Sequence, residues 1–355
     1  MKKIIALILT FVLLLSLTGC VGTTVVIGEC TCPEGSHTAP EPTVPAEGAL
    51  KTGLSVSVKI SDSVSATADT KGAAKYDITL AAVTVDDKGV IVSCVIDSIP
   101  ATVEFDASGN ITSDITAQVL TKNELGENYG MVAWGGAKAE WDEQVAAVAK
   151  YAQGKTVEQL KNGDIDMTTG KAKDGTDLSS SATIYLAGYV YAIEAAVKNA
   201  KHRGAQAGDE LVLATLNNTK SSTSATADKA GNAQLDADIT LLTKKDGKIT
   251  SCYIDSVQAK IAFDATGTIT TDLSNGVKTK NELGEGYGMV AWGGAKAEGN
   301  EQGAAFASYV TGKTAAEVAG IAVTETTKPA AAALSSSVTI AIGGFQALIA
   351  KAMQE

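Results

Sequence analysis

Apolar and polar residues alternate through residues 75–115 in a way that predicts β-strands. β-Branched and other apolar side chains alternate with polar ones in KYDITLAAVTV and again in VIVSCVIDSIPATVEF. Two turn signals, DDKG at residues 86–89 and DASGN at residues 106–110, interrupt this pattern. The second part of the chain carries KKDG and DATGT at the corresponding places. We therefore expect an antiparallel β-meander in each part.

Asp106 and Asp264 open the second turn of each predicted meander. Acidic residues in a loop also suggest calcium, but the remaining acidic positions of a calcium-binding loop are missing here. A hairpin turn is the better interpretation of both aspartates.

Helices are predicted after the strands. The segment EWDEQVAAVAKYAQ begins at Glu140, and Gly154 is placed to end its helix. Residues 156–159 and 314–317 have the spacing of a capping box, so each should open a short helix. Strands followed by helices within one unit indicate an α+β fold.

The chain repeats itself, which predicts two tandem copies of one module, each a meander followed by helices. SVSATAD returns as STSATAD, and residues 121–140 return as residues 279–298 with a single mismatch. Elsewhere the copies differ freely, so this concentration indicates either a demanding local structure or a shared site. The predicted organisation is a signal peptide (1–20), a flexible tether (21–52), module 1 (53–200), a linker (201–209) and module 2 (210–355).

The N-terminal segment MKKIIALILTFVLLLSLTGC has a basic start, an apolar run too short to span a bilayer comfortably, and small residues before Cys20. It resembles a bacterial lipoprotein signal, with an ordinary signal peptide as the alternative. We expect lipid on Cys20 to anchor the protein to the extracytoplasmic face of the cell membrane. The tether that follows is rich in Pro, Gly, Thr and Glu and cannot bury a core.

Composition excludes several function classes. The formal net charge of −11 argues against nucleic acid as a partner, because phosphate neutralisation needs clustered basic residues. The two histidines, His37 and His202, have no counterparts in the other copy, which excludes a Ser-His-Asp arrangement or a His-rich metal site common to both. GKT at residues 154–156 lacks the earlier glycine and the preceding strand of a P-loop.

The cysteines after Cys20 give no strong site. Cys30 and Cys32 lie in the tether, where metal binding with His37, a local disulfide and free thiols all remain open. Cys94 and Cys252 occupy equivalent places in the two copies and alternate with apolar residues, so both are expected to face the core.

The stretch DLSSSATIYLAGYVYAIEAAVKNA places a Ser/Thr cluster before an apolar segment, which predicts a helix opened by residues 177–183. A related stretch, ALSSSVT, opens the last apolar segment at residues 333–339. One interpretation is capping, because Ser, Thr and Asp satisfy the free N–H groups of a first turn. The other is an anion site at the helix start, where a threonine holds a phosphate group.

The first cluster resembles the flavin-attachment motif of FMN-binding domains, in which Asp, two residues, then Ser/Thr-Gly-Ala-Ser/Thr mark the modified threonine. The nearest resemblance is to the flavin-bearing surface lipoproteins of Gram-positive extracellular electron transfer. It implies FMN bound covalently through threonine, by a flavin transferase, at Thr183 and Thr339. The residues that carry it are Asp177, Ser180 and Ser181 in the first copy and Ser336 and Ser337 in the second.

This chain departs from that motif. The glycine is Ser181 or Ser337, and the second copy has Val338 for the alanine and Ala333 for the aspartate. If attachment needs the aspartate, Thr183 alone is modified; if it needs the glycine, neither threonine is modified.

Aromatic residues recur in the duplicated Gly-rich loop. Trp134 and Trp292 stand in GMVAWGGA, with Tyr129 and Tyr287 shortly before. A tryptophan there either stacks on a flavin ring or closes the module's core over a tight turn. Trp141 has no aromatic counterpart and is expected to be structural.

Two functions follow from these observations. The resemblance implies a non-catalytic flavin electron carrier that receives electrons from a membrane quinone or an NADH dehydrogenase. The alternative is a non-redox lipoprotein that binds a ligand or a cell-wall component, with the Ser clusters as helix caps.

Overall fold

The computed structural model describes residues 48–354, which form an α+β fold with antiparallel sheets. The predicted signal peptide with Cys20, and Cys30, Cys32 and His37 of the tether, lie outside the described residues. No helix within residues 48–354 combines the length and the hydropathy that a membrane-spanning helix needs.

Three long strands come before the helices in both halves of the described chain, and the first half adds three short strands later. We use "first half" for residues 48–209 and "second half" for residues 210–354. The elements of the first half are β1 (Ala49–Lys59), β2 (Gly72–Val85), β3 (Ile91–Phe105), α1 (Lys122–Leu125), α2 (Trp141–Ala152), α3 (Val157–Asn162), β4 (Ile165–Asp166), β5 (Lys171–Ala172), α4 (Asp177–Ser181), α5 (Ala187–Lys198) and β6 (Lys201–Gln206). Those of the second half are β7 (Glu210–Asn218), β8 (Gly231–Lys245), β9 (Lys248–Phe263), α6 (Lys280–Leu283), α7 (Gly299–Val310), α8 (Ala315–Ala319), α9 (Ala332–Ser335) and α10 (Gly343–Ala352).

Strands β1–β3 and β7–β9 form antiparallel meanders in the two large sheets, as predicted, and β4 and β5 form a separate two-stranded sheet. The first sheet has the strand order β3-β2-β1-β6, and the second has β7-β8-β9. The predicted turns are confirmed, because Asp86 Oδ1 accepts hydrogen bonds from the N–H groups of Lys88 and Val90 at 2.9 and 2.8 Å. Asp106 Oδ1 accepts hydrogen bonds from two backbone N–H groups in the same way. This pattern is that of a hairpin turn rather than a calcium-binding loop.

Two predicted boundaries are wrong. The tether was expected to extend to residue 52, but β1 begins at Ala49, and Lys51 pairs with Val85 of β2. Residues 201–209 were predicted as a linker between modules, but β6 occupies residues 201–206 and pairs with β1 as part of the first sheet. Both segments have few apolar residues, and they form strands because the edge of the sheet offers unpaired backbone groups.

The two sheets pack face to face over one shared core. Phe105 and Phe263 stack at its centre, with ring centroids 4.1 Å apart and both side chains fully buried. The Tyr76 hydroxyl crosses the interface and donates to the Ala233 carbonyl at 2.8 Å. Both halves therefore belong to one compact unit.

Reciprocal hydrogen bonds join the halves, as in a two-fold contact. Ala66 N donates to Gly267 O, and Ala225 N donates to Gly109 O, each at 2.8 Å. The Ser224 hydroxyl accepts from Ile111 N, and its counterpart Ser65 accepts from Ile269 N. The repeated SATAD segments and the turns opened by Asp106 and Asp264 supply these groups. Part of the concentrated sequence similarity therefore serves the contact between halves.

Helices cover the outer face of each sheet. In the first half α2 and α5 pack on the sheet and α4 packs on α2; in the second half α7 and α10 pack on the sheet and α8 packs on α10. Cys94 and Cys252 lie buried in these two outer clusters, which confirms the prediction that they face the core. Burial raises the pKa of both thiols to about 12.

Candidate functional site

The predicted helix over residues 177–200 is broken in its first third. α4 ends at Ser181 and α5 begins at Ala187. The backbone between them bonds elsewhere, since Leu186 N donates to Gly170 O at 2.5 Å. Thr183 therefore lies in an extended connection, and the expectation that it opens a long helix is wrong. The reason is tertiary, because a residue on α2 binds the backbone that a helix would need.

That residue is Gln144, whose side chain is 1% exposed. Its Oε1 accepts hydrogen bonds from Thr183 N at 2.8 Å, from the Thr183 hydroxyl at 3.2 Å and from Ile184 N at 3.2 Å. Its Nε2 donates to Ala139 O at 2.9 Å. One buried amide thus determines both the helix break and the position of the threonine hydroxyl.

The second half has the same arrangement. Gln302 Oε1 accepts from Thr339 N at 2.7 Å, from the Thr339 hydroxyl at 3.1 Å and from Ile340 N at 3.1 Å. Ile342 N donates to Thr327 O, and α10 begins only at Gly343. We did not identify Gln144 or Gln302 from the sequence. The signal was present, because a glutamine stands four residues after the last residue of the duplicated block in both copies.

The serines of the first cluster bond within their own turn. The hydroxyls of Ser180 and Ser181 donate to Asp177 O at 2.7 and 3.2 Å. Thr176, which the sequence analysis passed over, is the N-cap of α4, and its hydroxyl accepts from Ser179 N. The capping interpretation therefore accounts for α4.

The residues after Thr183 and the rest of the motif line different cavities, and Thr183 itself lines neither of the two. Asp177 and Ser181 line a cavity of about 340 Å³ together with Lys150 and Tyr151 of α2. The residues directly after Thr183 line another, which we call the aromatic cleft. In the second half Ser336 is exposed, and the Ser337 hydroxyl donates to Leu334 O at 3.3 Å. The structure therefore separates Thr183 from Asp177 and Ser181.

The aromatic cleft has a volume of about 630 Å³ and lies between the loop before α2 and the start of α5. Its aromatic lining residues are Tyr129, Trp141, Tyr185, Tyr189 and Tyr191. The Trp141 indole N–H donates to the Tyr189 hydroxyl at 3.0 Å, and the two rings meet edge to face. This cluster is concentrated, since aromatic residues make up 5% of the chain.

A cation lies against this cluster. Lys122 Nζ is 5.1 Å from the ring centroids of both Tyr129 and Trp141, within the range of a cation–π contact. Trp141 is 4% exposed, which agrees with its predicted structural role, but it also forms one wall of the cleft. Burial raises the pKa of Tyr189 to about 12, so its hydroxyl keeps its proton at neutral pH.

Trp134 and Trp292 are at the surface, with exposed fractions of 89% and 92%. The interpretation that Trp134 closes the core is therefore wrong, and neither tryptophan lines the cavities beside Thr183 and Thr339. The loop turns over Gly130, where an added Cβ would lie 2.1 Å from Trp134 Cδ1, so the indole lies against this backbone. A short helix, α1, opens the block that we predicted as one long loop.

The Glu140 side chain fixes the conformation of this loop through hydrogen bonds to its backbone. Its carboxylate is buried and accepts hydrogen bonds from Met131 N at 2.8 Å and Val132 N at 2.9 Å. Glu298 makes the same two bonds in the second half. A carboxylate that satisfies adjacent backbone N–H groups fixes a turn strongly, because charged hydrogen bonds exceed neutral ones in strength. The duplicated block thus has a structural role that the sequence alone did not identify.

Asp97 and Asp255 are buried at equivalent positions. Asp97 Oδ1 accepts from Ser98 N at 2.7 Å and Asn123 N at 3.1 Å. Burial raises the pKa of both aspartates to about 6 against the opposing effect of these hydrogen bonds. They tie β3 and β9 to the helices that open the duplicated block.

No protein-family model, no curated protein and no solved structure matches this chain. Inference about function therefore starts from the residues at the two threonines and the cavities beside them.

Proposed function

We propose that this protein is a lipid-anchored, extracytoplasmic electron carrier that holds FMN covalently on one or both of Thr183 and Thr339. One observation carries the proposal. An exposed threonine hydroxyl, held by a buried glutamine, directly precedes residues that line an aromatic cleft. Helix capping by a threonine does not require an aromatic cleft beside it.

The first half fits a flavin in size and in lining. A volume of about 630 Å³ lies within the roughly 300–1,000 Å³ of small-molecule sites. Tyrosine and tryptophan walls suit a planar ring system, because stacked and edge-to-face contacts favour aromatic partners. FMN, when bound, supplies reversible electron transfer.

The phosphate end fits in a different way from the one the sequence suggested. α5 begins four residues after Thr183, and the N–H groups of Leu186 and Ala187 already donate to Gly170 O. A phosphate on Thr183 would therefore lie in solvent rather than at a helix N-terminus. This position keeps the phosphate charge hydrated, which costs less than burying it.

Gln144 orients the attachment point. Before attachment its Oε1 accepts the hydroxyl hydrogen of Thr183. A phosphoester replaces that O–H with O–P, so this hydrogen bond is lost, and the bonds from Thr183 N and Ile184 N remain. The connection therefore stays in place around a modified side chain.

The remaining parts of the proposal concern the partners. Lipid on Cys20 would hold the carrier at the membrane, where a quinone or an NADH dehydrogenase supplies electrons, and a flavin transferase would attach FMN. The tether would let the folded part reach acceptors outside the cell.

The test is the intact mass of the protein purified from its own host, with in-gel flavin fluorescence after denaturation. We expect the added mass of one or two FMN groups and a fluorescent band. Thr183→Ala and Thr339→Ala together should remove both signals. Ser180→Ala is the matched control, since its hydroxyl donates to Asp177 O within α4. Unchanged flavin in the double variant, or a dark wild-type band at unmodified mass, contradicts the proposal.

A second function, binding of a cell-wall component without redox chemistry, has its own supporting observation. Trp134 and Trp292 stand almost fully exposed on loops that Glu140 and Glu298 hold in shape. Large exposed apolar side chains often mark interaction sites. Cosedimentation with purified peptidoglycan tests it, and Trp134→Ala with Trp292→Ala should abolish the pelleting. Equal pelleting of wild type and double variant contradicts wall binding through these residues.

A further inference from the structure

The two halves differ at the positions that flank the aromatic cleft. Trp141 is the first residue of α2, and Gly299 stands at the same place in α7. One turn later, Val145 in the first half corresponds to Gly303 in the second. The second half therefore lacks an indole ring and a branched side chain that the first half buries.

A cavity of about 380 Å³ lies at this place in the second half. Its lining residues include Ile254, Asp255, Tyr287, Gly299, Gly303 and Phe345. Ile254 and Asp255 lie on β9, and the equivalent residues on β3 are Ile96 and Asp97. Among the described residues, these two do not line the aromatic cleft. Trp141 fills that inner space in the first half, and Gly299 leaves it open in the second.

The open space is large enough to accept side-chain atoms. Apart from the adjacent residues and the backbone of its own helix, a Cβ placed on Gly303 would have no heavy-atom neighbour within 4 Å among residues 48–354. A Cβ on Gly299 would approach Met289 Sδ at 3.2 Å, and that thioether is the flexible end of a side chain. Gly299 does not have the positive φ that favours glycine, so backbone conformation does not explain it.

The first half shows which chemistry this space accommodates. Its indole receives a cation–π contact from Lys122 and donates its N–H to the Tyr189 hydroxyl. In the second half Lys280 Nζ likewise lies 5.1 Å from the Tyr287 ring centroid. Phe345 replaces Tyr189 and provides no hydroxyl, so an N–H in the second cavity needs another acceptor.

Asp238 provides that acceptor. Its carboxylate lines the cavity, and its one hydrogen bond among the described residues is to the Ser256 hydroxyl, through Oδ1. Oδ2 is thus available to an N–H group. In the first half Thr79 takes this place, since it pairs with Ser98 as Asp238 pairs with Ser256, so the carboxylate is particular to the second half.

We propose that the second half binds a small planar aromatic molecule of indole size, bearing a ring N–H, in the cavity between Tyr287, Gly299 and Phe345. The ring occupies the space that Trp141 fills in the first half, Lys280 approaches it, and Asp238 accepts its N–H. Ile340 and Ala341, which follow Thr339, also line this cavity, so the proposal concerns the chain without flavin on Thr339.

The test uses indole as the probe and the flavin-free chain from a host without the attaching enzyme. Isothermal titration with ligand-observed NMR should show saturable binding of one indole per chain. Gly299→Trp should weaken binding at least tenfold, because its side chain takes the place of the ligand. Trp141→Gly opens the matching space in the first half and should raise the stoichiometry to two. 1-Methylindole, which lacks the N–H, should bind several-fold more weakly than indole.

Gly303→Val is the second variant, because the added side chain has room and the fold should survive. It should also weaken indole binding. The proposal is overturned if wild type shows no saturable binding, or if Gly299→Trp or Gly303→Val binds indole as wild type does. Because the test uses the chain without flavin, a negative result for indole does not contradict the proposed electron carrier. Likewise, absence of flavin from the native protein does not contradict the proposed indole site.

Discussion

Replacing Gln144 should reveal how much of the candidate site's order depends on one buried amide. Gln144→Met keeps the length and most of the volume of the side chain but removes its hydrogen-bonding groups. Four hydrogen bonds disappear, three accepted by Oε1 and one donated by Nε2 to Ala139 O. The connection around Thr183 loses its described hydrogen bonds to α2.

The magnitude follows from which groups water can reach. The side chain of Thr183 is exposed, so its hydroxyl finds a water partner in the variant at little cost. The N–H groups of Thr183 and Ile184 and the carbonyl of Ala139 are partly buried in these bonds. At about 1 kcal/mol for each of these three bonds, unfolding free energy should fall by about 3 kcal/mol. Gln302→Met should cost a similar amount, since its amide makes the same bonds.

Urea unfolding followed by circular dichroism measures the change as a shift in midpoint at constant m-value. Gln153→Met is the matched control, because Gln153 is exposed and its substitution should stay within about 0.5 kcal/mol. Gln144→Glu keeps an acceptor for the two backbone N–H groups but loses the bond to Ala139 O. A loss below about 1 kcal/mol for Gln144→Met, or one equal to that of Gln153→Met, would refute the reasoning.

Three further predictions concern the shared core, the buried carboxylates and the duplicated loop. Phe105→Leu and Phe263→Leu should each lower stability, and a double-mutant cycle in urea should give a coupling of about 0.5–1.5 kcal/mol from their stacked rings. Burial raises the pKa of Asp97 and Asp255 to about 6, so the folded state retains protons that the unfolded chain releases near pH 4. Their stabilising contribution is complete below pH ~4 and is lost as pH rises through about 6, on the order of 2–3 kcal/mol each. Asp97→Asn with Asp255→Asn should remove this pH dependence in unfolding titrations between pH 4 and 7. Glu140→Gln should loosen the preceding loop and speed its tryptic cleavage several-fold, because an amide nitrogen cannot accept from a backbone N–H.

Each of these predictions has an outcome that contradicts it. Additive effects of the two phenylalanine variants would mean that the rings do not interact across the halves. An unchanged pH profile in the double asparagine variant would assign the pH dependence to other groups. Equal cleavage rates for wild type and Glu140→Gln would show that the carboxylate does not hold the loop.

Local signals in the sequence were sufficient for much of the fold. The turns opened by Asp86 and Asp106 and the capping boxes at Thr156 and Thr314 depend on residues within four positions of each other. Gly154 is also a local signal: it lies just after the end of α2 and has a positive φ of 77°, which glycine adopts readily. These features are readable because both partners of each interaction lie in one short window.

The candidate site was only partly predictable, because its partners are distant in sequence. The Ser/Thr cluster drew attention to Thr183, but Gln144 lies 39 residues earlier. Trp134 looked like a core residue or a stacking partner, yet it is exposed, while Trp141, expected to be only structural, forms a wall of the cleft. The aromatic cluster brings together residues from the loop, α2 and α5 that have no common sequence motif.

The sequence by itself determined the strands on either side of the tight turns, the turns themselves, the helix caps and the repetition of local patterns, because each depends on backbone preferences and on side chains close by in the chain. Tertiary structure alone decided the break before α5, the pairing of β6 with β1 and the face-to-face contact of the two sheets. In all three cases a backbone group or an apolar face obtained its partner from a distant segment. Partners of that kind outweigh local propensity because buried polar groups must be hydrogen bonded and apolar faces must be covered.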